Sequence, residues 1–117
     1  MLVTQQPVLR RFWYAVMPMA RLDQGPQPFR LLGEDIVLWR EGSGALHAWP
    51  DRCPHRGAKL SLGRVQGDRL ECPYHGWQFA PSGQCVHVPA LPAFAPPPTH
   101  CVHGHEVREA HGLAWVR

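Results

Sequence analysis

Cys53-Pro54-His55-Arg56-Gly57-Ala58 and, after a spacer, Cys72-Pro73-Tyr74-His75-Gly76-Trp77 are the two stretches that decide how this sequence is read. Each supplies one thiol and one imidazole with a glycine close behind, so two short loops offer four soft or borderline metal ligands. Only Pro54 separates Cys53 from His55. Zinc fingers space paired ligands by about two to four residues so that both reach one tetrahedral ion. A single intervening residue is tight for that geometry and comfortable if the two ligands go to different metals. A dinuclear iron–sulfur cluster, with both cysteines on one iron and both histidines on the other, needs that layout. A structural Cys2His2 zinc site is the alternative.

Around these loops the chain is an ordinary globule of 117 residues, read as a single domain spanning 1–117. A formal charge of +3 gives no case for nucleic acid. The apolar runs are too short to cross a bilayer, and Met1 to Gln6 lacks the basic-then-apolar layout of a secretory signal. The expectation is a cytoplasmic protein with no membrane partner. Cys85 and Cys101 are left over from the ligand set and read as buried or part-buried free thiols.

Thirteen prolines and eleven glycines argue against long helices. Phe12 to Val16 reads as an aromatic opening strand, Arg21 to Gly25 as a turn, and Pro26 and Pro28 as an extended connector. Phe29–Leu32, Ile36–Arg40 and Ala45–Trp49 read as a three-stranded meander with turns at Gly33-Glu34-Asp35 and Glu41-Gly42-Ser43-Gly44. Between the ligand loops, Leu60 to Leu62 and Val65 read as filler, and Gly67-Asp68 as a turn before a strand that delivers Cys72. Trp77 to Phe79 and Cys85 to Val88 form a small unit around Pro81-Ser82-Gly83. The proline-rich run from Pro89 to Pro98 is expected to drape over the core. Thr99–Val107 and Leu113–Val116 close the chain as two strands. The fold class is all-β.

The ligand loops resemble the signature of the Rieske [2Fe–2S] proteins, C-x-H followed by C-x-x-H, and the match includes the flanks Arg56-Gly57-Ala58 and Gly76-Trp77. The resemblance implies one Rieske-type [2Fe–2S] cluster, with Cys53 and Cys72 on the inner iron and His55 and His75 on the outer one. It also implies a Rieske fold: an antiparallel base sandwich or barrel (1–50 and 89–117) with an inserted cluster-binding subdomain at about 51–88. No catalytic residue is expected in this chain. High-potential members of the family tie their loops with an extra cysteine pair, and the matching positions here are Ala58 and Tyr74. Those members also carry serine and tyrosine hydroxyls where this sequence has Trp77 and Phe79. Hydrogen bonds to sulfur stabilise the reduced, more negative state, so the expected centre is of low potential.

Low potential and the sequence CPHRGA…CPYHGW are similar to the Rieske modules of aromatic-ring-hydroxylating and demethylating oxygenase systems. What that implies is an NAD(P)H-dependent reductase as electron donor and an oxygenase as acceptor. The expected role is a ferredoxin-like carrier; the alternative is the N-terminal electron-input domain of a Rieske non-haem iron oxygenase. Phe12-Trp13-Tyr14 and Gly112-Leu113-Ala114-Trp115-Val116 favour the alternative. Arg52, Arg56, Lys59, Arg64 and Arg69, set against Asp51, Asp68 and Glu71, form a possible basic rim. Cys101, His103 and His105 would share one face if they lay on a strand.

Overall fold

Ten strands, all antiparallel, form three sheets among the described residues, which are 7–54, 57–73, 76–89, 96 and 101–117 of a computed structural model. In chain order they are β1 (Tyr14–Pro18), β2 (Gln27–Leu31), β3 (Glu34–Arg40), β4 (Leu46–Pro50), β5 (Arg64–Gln66), β6 (Arg69–Glu71), β7 (Gln78–Phe79), β8 (Cys85–His87), β9 (Val107–Ala110) and β10 (Leu113–Val116). Their order is β1-β10-β9 in the first sheet, β2-β3-β4 in the second and β5-β6-β7-β8 in the third. His55, Arg56, Tyr74, His75, residues 90–95 and residues 97–100 lie outside the described residues.

The run Ile36-Val37-Leu38-Trp39 explains the layering. All four side chains are buried, which a strand with one wet face does not need. Because successive side chains alternate faces, Ile36 and Leu38 point one way and Val37 and Trp39 the other. Ile36 and Leu38 join Met17, Leu22, Ala48, Ala114 and Val116 in a core against the β1-β10-β9 sheet. Val37 and Trp39 join Trp49, Leu60, Leu70, Phe79, Val88 and Val102 in a second core against the β5–β8 sheet. The meander is therefore the middle of three layers, and Ala48 and Trp49 on β4 split between the two cores in the same way.

The meander appears where the sequence places it, with one change. The β2–β3 turn is the two residues Leu32-Gly33, both at positive φ (50° and 80°), and Glu34 and Asp35 already belong to β3. Two positive φ values suit the right-handed twist of a tight hairpin, so the turn closes a residue earlier than Gly33-Glu34-Asp35. Other expectations shift similarly. The opening strand begins at Tyr14, not Phe12, because 3₁₀ structure occupies Pro7–Arg11. Trp13 lies outside the strand and under Arg108, whose guanidinium carbon is 3.9 Å from the ring centroid. Met19–Gln24 is a 3₁₀ turn, and Pro28 sits within edge strand β2, where its missing N–H costs no ladder bond. Leu62 is no filler: Leu60 is fully buried, but Leu62 is 73% exposed.

The expected strand from Thr99 to Val107 is corrected most. Within 101–106 the chain makes only two isolated bridges, Cys101 to Gln84 and His105 to Ala48, and β9 starts at Val107. This segment is a strap across two sheets. Val102 N–H donates to the Gly83 carbonyl at 2.7 Å, and His105 N–H to the Ala48 carbonyl at 2.7 Å. Gly104 packs flat on Trp49, where a β-carbon would come within 2.9 Å of the ring.

At the far end of the meander, Glu41 joins the middle sheet to the third one. Its carboxylate pairs with His47 and accepts the Ser43 hydroxyl at 3.0 Å, while Gly42 N–H donates to the Gly67 carbonyl at 2.8 Å. The His47 hydrogen bond, acting against burial, holds the Glu41 carboxyl below its usual 4.5. A depressed folded-state value means the contribution is present above the unfolded value and is lost as pH falls through the folded one. Acid titrations of thermal stability should therefore lose part of their slope below about pH 4.5 in Glu41→Gln. An unchanged slope would exclude this pair as a source of acid sensitivity.

Candidate metal centre

Two loops of the same design bring Cys53 and Cys72 into one core. The first follows β4, and the second connects β6 to β7. In each, the cysteine N–H donates to the carbonyl five residues on: Cys53 to Ala58 and Cys72 to Trp77, both at 2.7 Å. In each, the residue before that carbonyl is a glycine in the left-handed region, Gly57 at φ 72° and Gly76 at φ 67°. A side chain there would strain the backbone and, at Gly57, would press within 3.2 Å of the Arg52 guanidinium. The repeat C-P-x-x-G-x is thus a six-residue loop closed on itself, with the cysteine at its inner end.

Both thiols are buried, Cys53 at 0% and Cys72 at 1% exposure, and both belong to the core that contains Trp49 and Phe79. Pro54 and Pro73, the next residues outward, are exposed. The loops therefore cross from apolar interior to surface within one residue of each cysteine. His55 and His75, the other expected ligands, lie outside the described residues. Among the described residues no group of three His, Cys, Asp or Glu side chains could hold a metal alone. Two unoxidised thiols, walled by aromatic and aliphatic carbon, fit a sulfide-rich cluster better than a hard, hydrated cation.

Aromatic carbon lines the core that holds the thiols. Phe79 is fully buried and meets Trp49 edge-on, with ring centroids 6.5 Å apart. Trp77 is partly buried against the same core. Neither side chain offers a hydroxyl. Cys85 is buried in this core, and burial pushes its thiol upward, helped by the nearby Cys72. It is a neutral, space-filling thiol. Cys101 is half-buried on the strap, with Sγ 3.7 Å from His103 Nε2. His105 turns away to Glu34, 3.3 Å distant, so of the three residues that a strand would align only Cys101 and His103 stay together.

The expected basic rim is thinner than its sequence count. Arg64 pairs with Glu71 at 2.6 Å and Arg69 donates to Gln78 at 3.1 Å. Arg52 and Lys59 keep exposed positions without a carboxylate partner among the described residues. The sequence places Asp51 within this charge balance. In the structure it is buried, and it holds Ser61 through both carboxylate oxygens. The signal was weak: an acid two residues before a ligand, and a serine inside an apolar triplet.

Such a pair of self-closed cysteine loops over a β core suits a sulfur-ligated metal centre. The sequence profile of the Rieske [2Fe-2S] domain matches residues 12–106, and the chain belongs to that family. It therefore carries a Rieske-type [2Fe–2S] cluster. Methylxanthine N1-demethylase NdmA of Pseudomonas putida is 41% identical over 119 residues, covering 97% of this chain and 34% of NdmA. Protein TIC 55, chloroplastic, of Arabidopsis thaliana is 43% identical over 106 residues, covering 89% of this chain and 20% of that protein. The solved structure of NdmA superposes with a TM-score of 0.91 over 97% of this chain and 36% of its own. That of apo dicamba monooxygenase gives 0.83 at 36% identity, over 92% of this chain and 33% of its own. The chain thus spans about a third or less of these relatives. No helix among the described residues is long and apolar enough to cross a membrane.

Proposed function

We propose that this chain carries single electrons for an oxygenase system, with Cys53 and Cys72 holding one iron of the cluster and His55 and His75 the other. The observation that carries the reading is the matched pair of closed loops that delivers two buried thiols to one core. When bound, a [2Fe–2S] group supplies reversible one-electron chemistry, and histidine in place of cysteine raises its potential relative to an all-cysteine cluster. The protein's own contribution is to exclude water from the thiol side and to leave the outer ends of the loops at the surface. The sheet layout supports a base formed by 1–50 and 89–117 with a cluster-binding unit at about 51–88.

The donor would be an NAD(P)H-dependent reductase and the acceptor an oxygenase, in the cytoplasm. The similarity to NdmA, to the Pseudomonas putida protein named oxidoreductase NdmD (45% identity over 87 residues), and to the oxygenase subunit of a 3-chlorobenzoate dioxygenase (39% over 112 residues) supports this setting. A second reading is the electron-input domain of a Rieske non-haem iron oxygenase. It is favoured by the share of NdmA that the chain covers, 34%. Under either reading this chain performs no substrate chemistry itself.

Apolar Trp77 and Phe79 at positions where high-potential members carry hydroxyls support a low potential. A redox titration of the cluster-loaded protein should give a one-electron wave below about +100 mV, on a family scale of roughly −150 to +300 mV. A midpoint above that value would remove the low-potential assignment, and absence of any reversible wave would remove the electron-carrier reading.

A further inference from the structure

Asp51 is the one charged side chain buried among the described residues, at 5% exposure. It stands two residues ahead of Cys53, where β4 gives way to the first ligand loop. Its Oδ1 accepts the Ser61 backbone N–H at 2.7 Å, and its Oδ2 accepts the Ser61 hydroxyl at 2.7 Å. Its own N–H donates to the Asp35 carbonyl at 3.0 Å, tying the loop stem to the start of β3. The carboxylate thus joins the chain at 51 to the chain at 61 and encloses the whole first loop. It also satisfies an N–H of the 3₁₀ turn Leu60–Leu62 that Lys59 does not cap.

A neutral side chain could make a tie of this kind at a lower desolvation cost, so the charge calls for a reason. The second loop offers a contrast. Glu71, next to Cys72, is paired with Arg64 at 2.6 Å, so its charge is balanced. Asp51 has no ion-pair partner among the described residues and meets only neutral donors. A negative charge held near a redox centre disfavours the more negative, reduced state.

We propose that Asp51 is a positioning residue for the first ligand loop, and that its charge, which has no ion-pair partner among the described residues, biases a cluster held there toward the oxidised state. The proposal rests on Cys53 being a ligand. It is tested by redox titration of cluster-loaded wild type, Asp51→Asn, Asp51→Ala and Ser61→Ala, with iron and sulfide content and the EPR spectrum of the reduced state. Asn keeps an acceptor for the Ser61 N–H and loses the charge. It should load like wild type, while its oxidised-to-reduced ratio at fixed potential moves roughly tenfold toward reduced, about 59 mV for a one-electron couple. Ser61→Ala keeps the charge and the backbone bond, and its potential should move less than that of Asp51→Asn. Asp51→Ala should lose most of its cluster.

An Asp51→Asn protein with the wild-type potential overturns the proposal. So does an Asp51→Ala protein with a full cluster and the wild-type EPR spectrum. If Asp51→Ala does not accumulate as folded protein, the potentials of the other two variants decide. Wild type that takes up no iron and sulfide would instead overturn the ligand reading beneath it.

Discussion

Cys72→Ser is expected to leave the protein folded and nearly devoid of cluster. The cysteine is 1% exposed and its N–H closes the second loop onto the Trp77 carbonyl, so the replacement changes one atom without moving the backbone that carries it. Serine is close in size, but its oxygen is a hard donor and its proton does not leave at neutral pH. Iron–sulfur assembly therefore loses one of its two buried anchors, and Cys53→Ser should behave alike because its loop is built in the same way. Purified variants should retain well under about a tenth of the wild-type iron and acid-labile sulfide, in line with coordination by deprotonated thiols. Far-ultraviolet circular dichroism should stay that of a β protein. Full cluster content in either variant would show that the thiol is no ligand. Cys85→Ser is the control: that thiol is buried in the same core without a matching loop, and its replacement should leave cluster content intact.

Gly63→Ala should be among the most damaging single methyl groups added at the third sheet. Its φ of −82° is ordinary, so the problem is space and not backbone preference. A β-carbon at this position would lie 1.8 Å from the Glu71 carbonyl oxygen and 3.2 Å from that of Leu60. Both neighbours are backbone, and neither can swing aside. Relief requires β5 and β6 to separate at the residue that precedes Cys72. The expected destabilisation lies at or beyond the top of the roughly 1–3 kcal/mol usual for overpacking, with cluster yield falling in parallel. Gly67→Ala provides the comparison. It has open space and a φ of 62°, so it should cost only the left-handed strain, about 1–2 kcal/mol. Denaturant melts that rank Gly63→Ala as no less stable than Gly67→Ala would contradict this account of the sheet.

The family and its two cysteine loops were legible in the sequence because their signals are local. Ligand type, the single residue between Cys53 and His55, and a glycine four positions after each cysteine all fall within six-residue stretches. The same holds for the meander, whose turns are encoded by adjacent residues. Two features depend on contacts between distant parts of the chain and were not legible. The run Ile36 to Trp39 reads as a strand, yet only the assembled layers show that it is covered on both faces. Asp51 and Ser61 look like a surface charge and a loop hydroxyl until the chain brings them within 2.7 Å. Residues 101–106 misled for a related reason. The stretch reads as a strand in sequence, while the partners available, Gln84 just before β8 and Ala48 on β4, belong to different parts of the fold and allow one bridge each.

Combined metal, sulfide and Mössbauer analysis of the purified chain bears most directly on the ligand assignment. Iron and acid-labile sulfide are expected in equal amounts, with no stoichiometric zinc and two inequivalent iron sites of equal area, one ligated by cysteine and one by histidine. A chain that binds zinc without sulfide, or shows equivalent, all-sulfur-ligated irons, would contradict it.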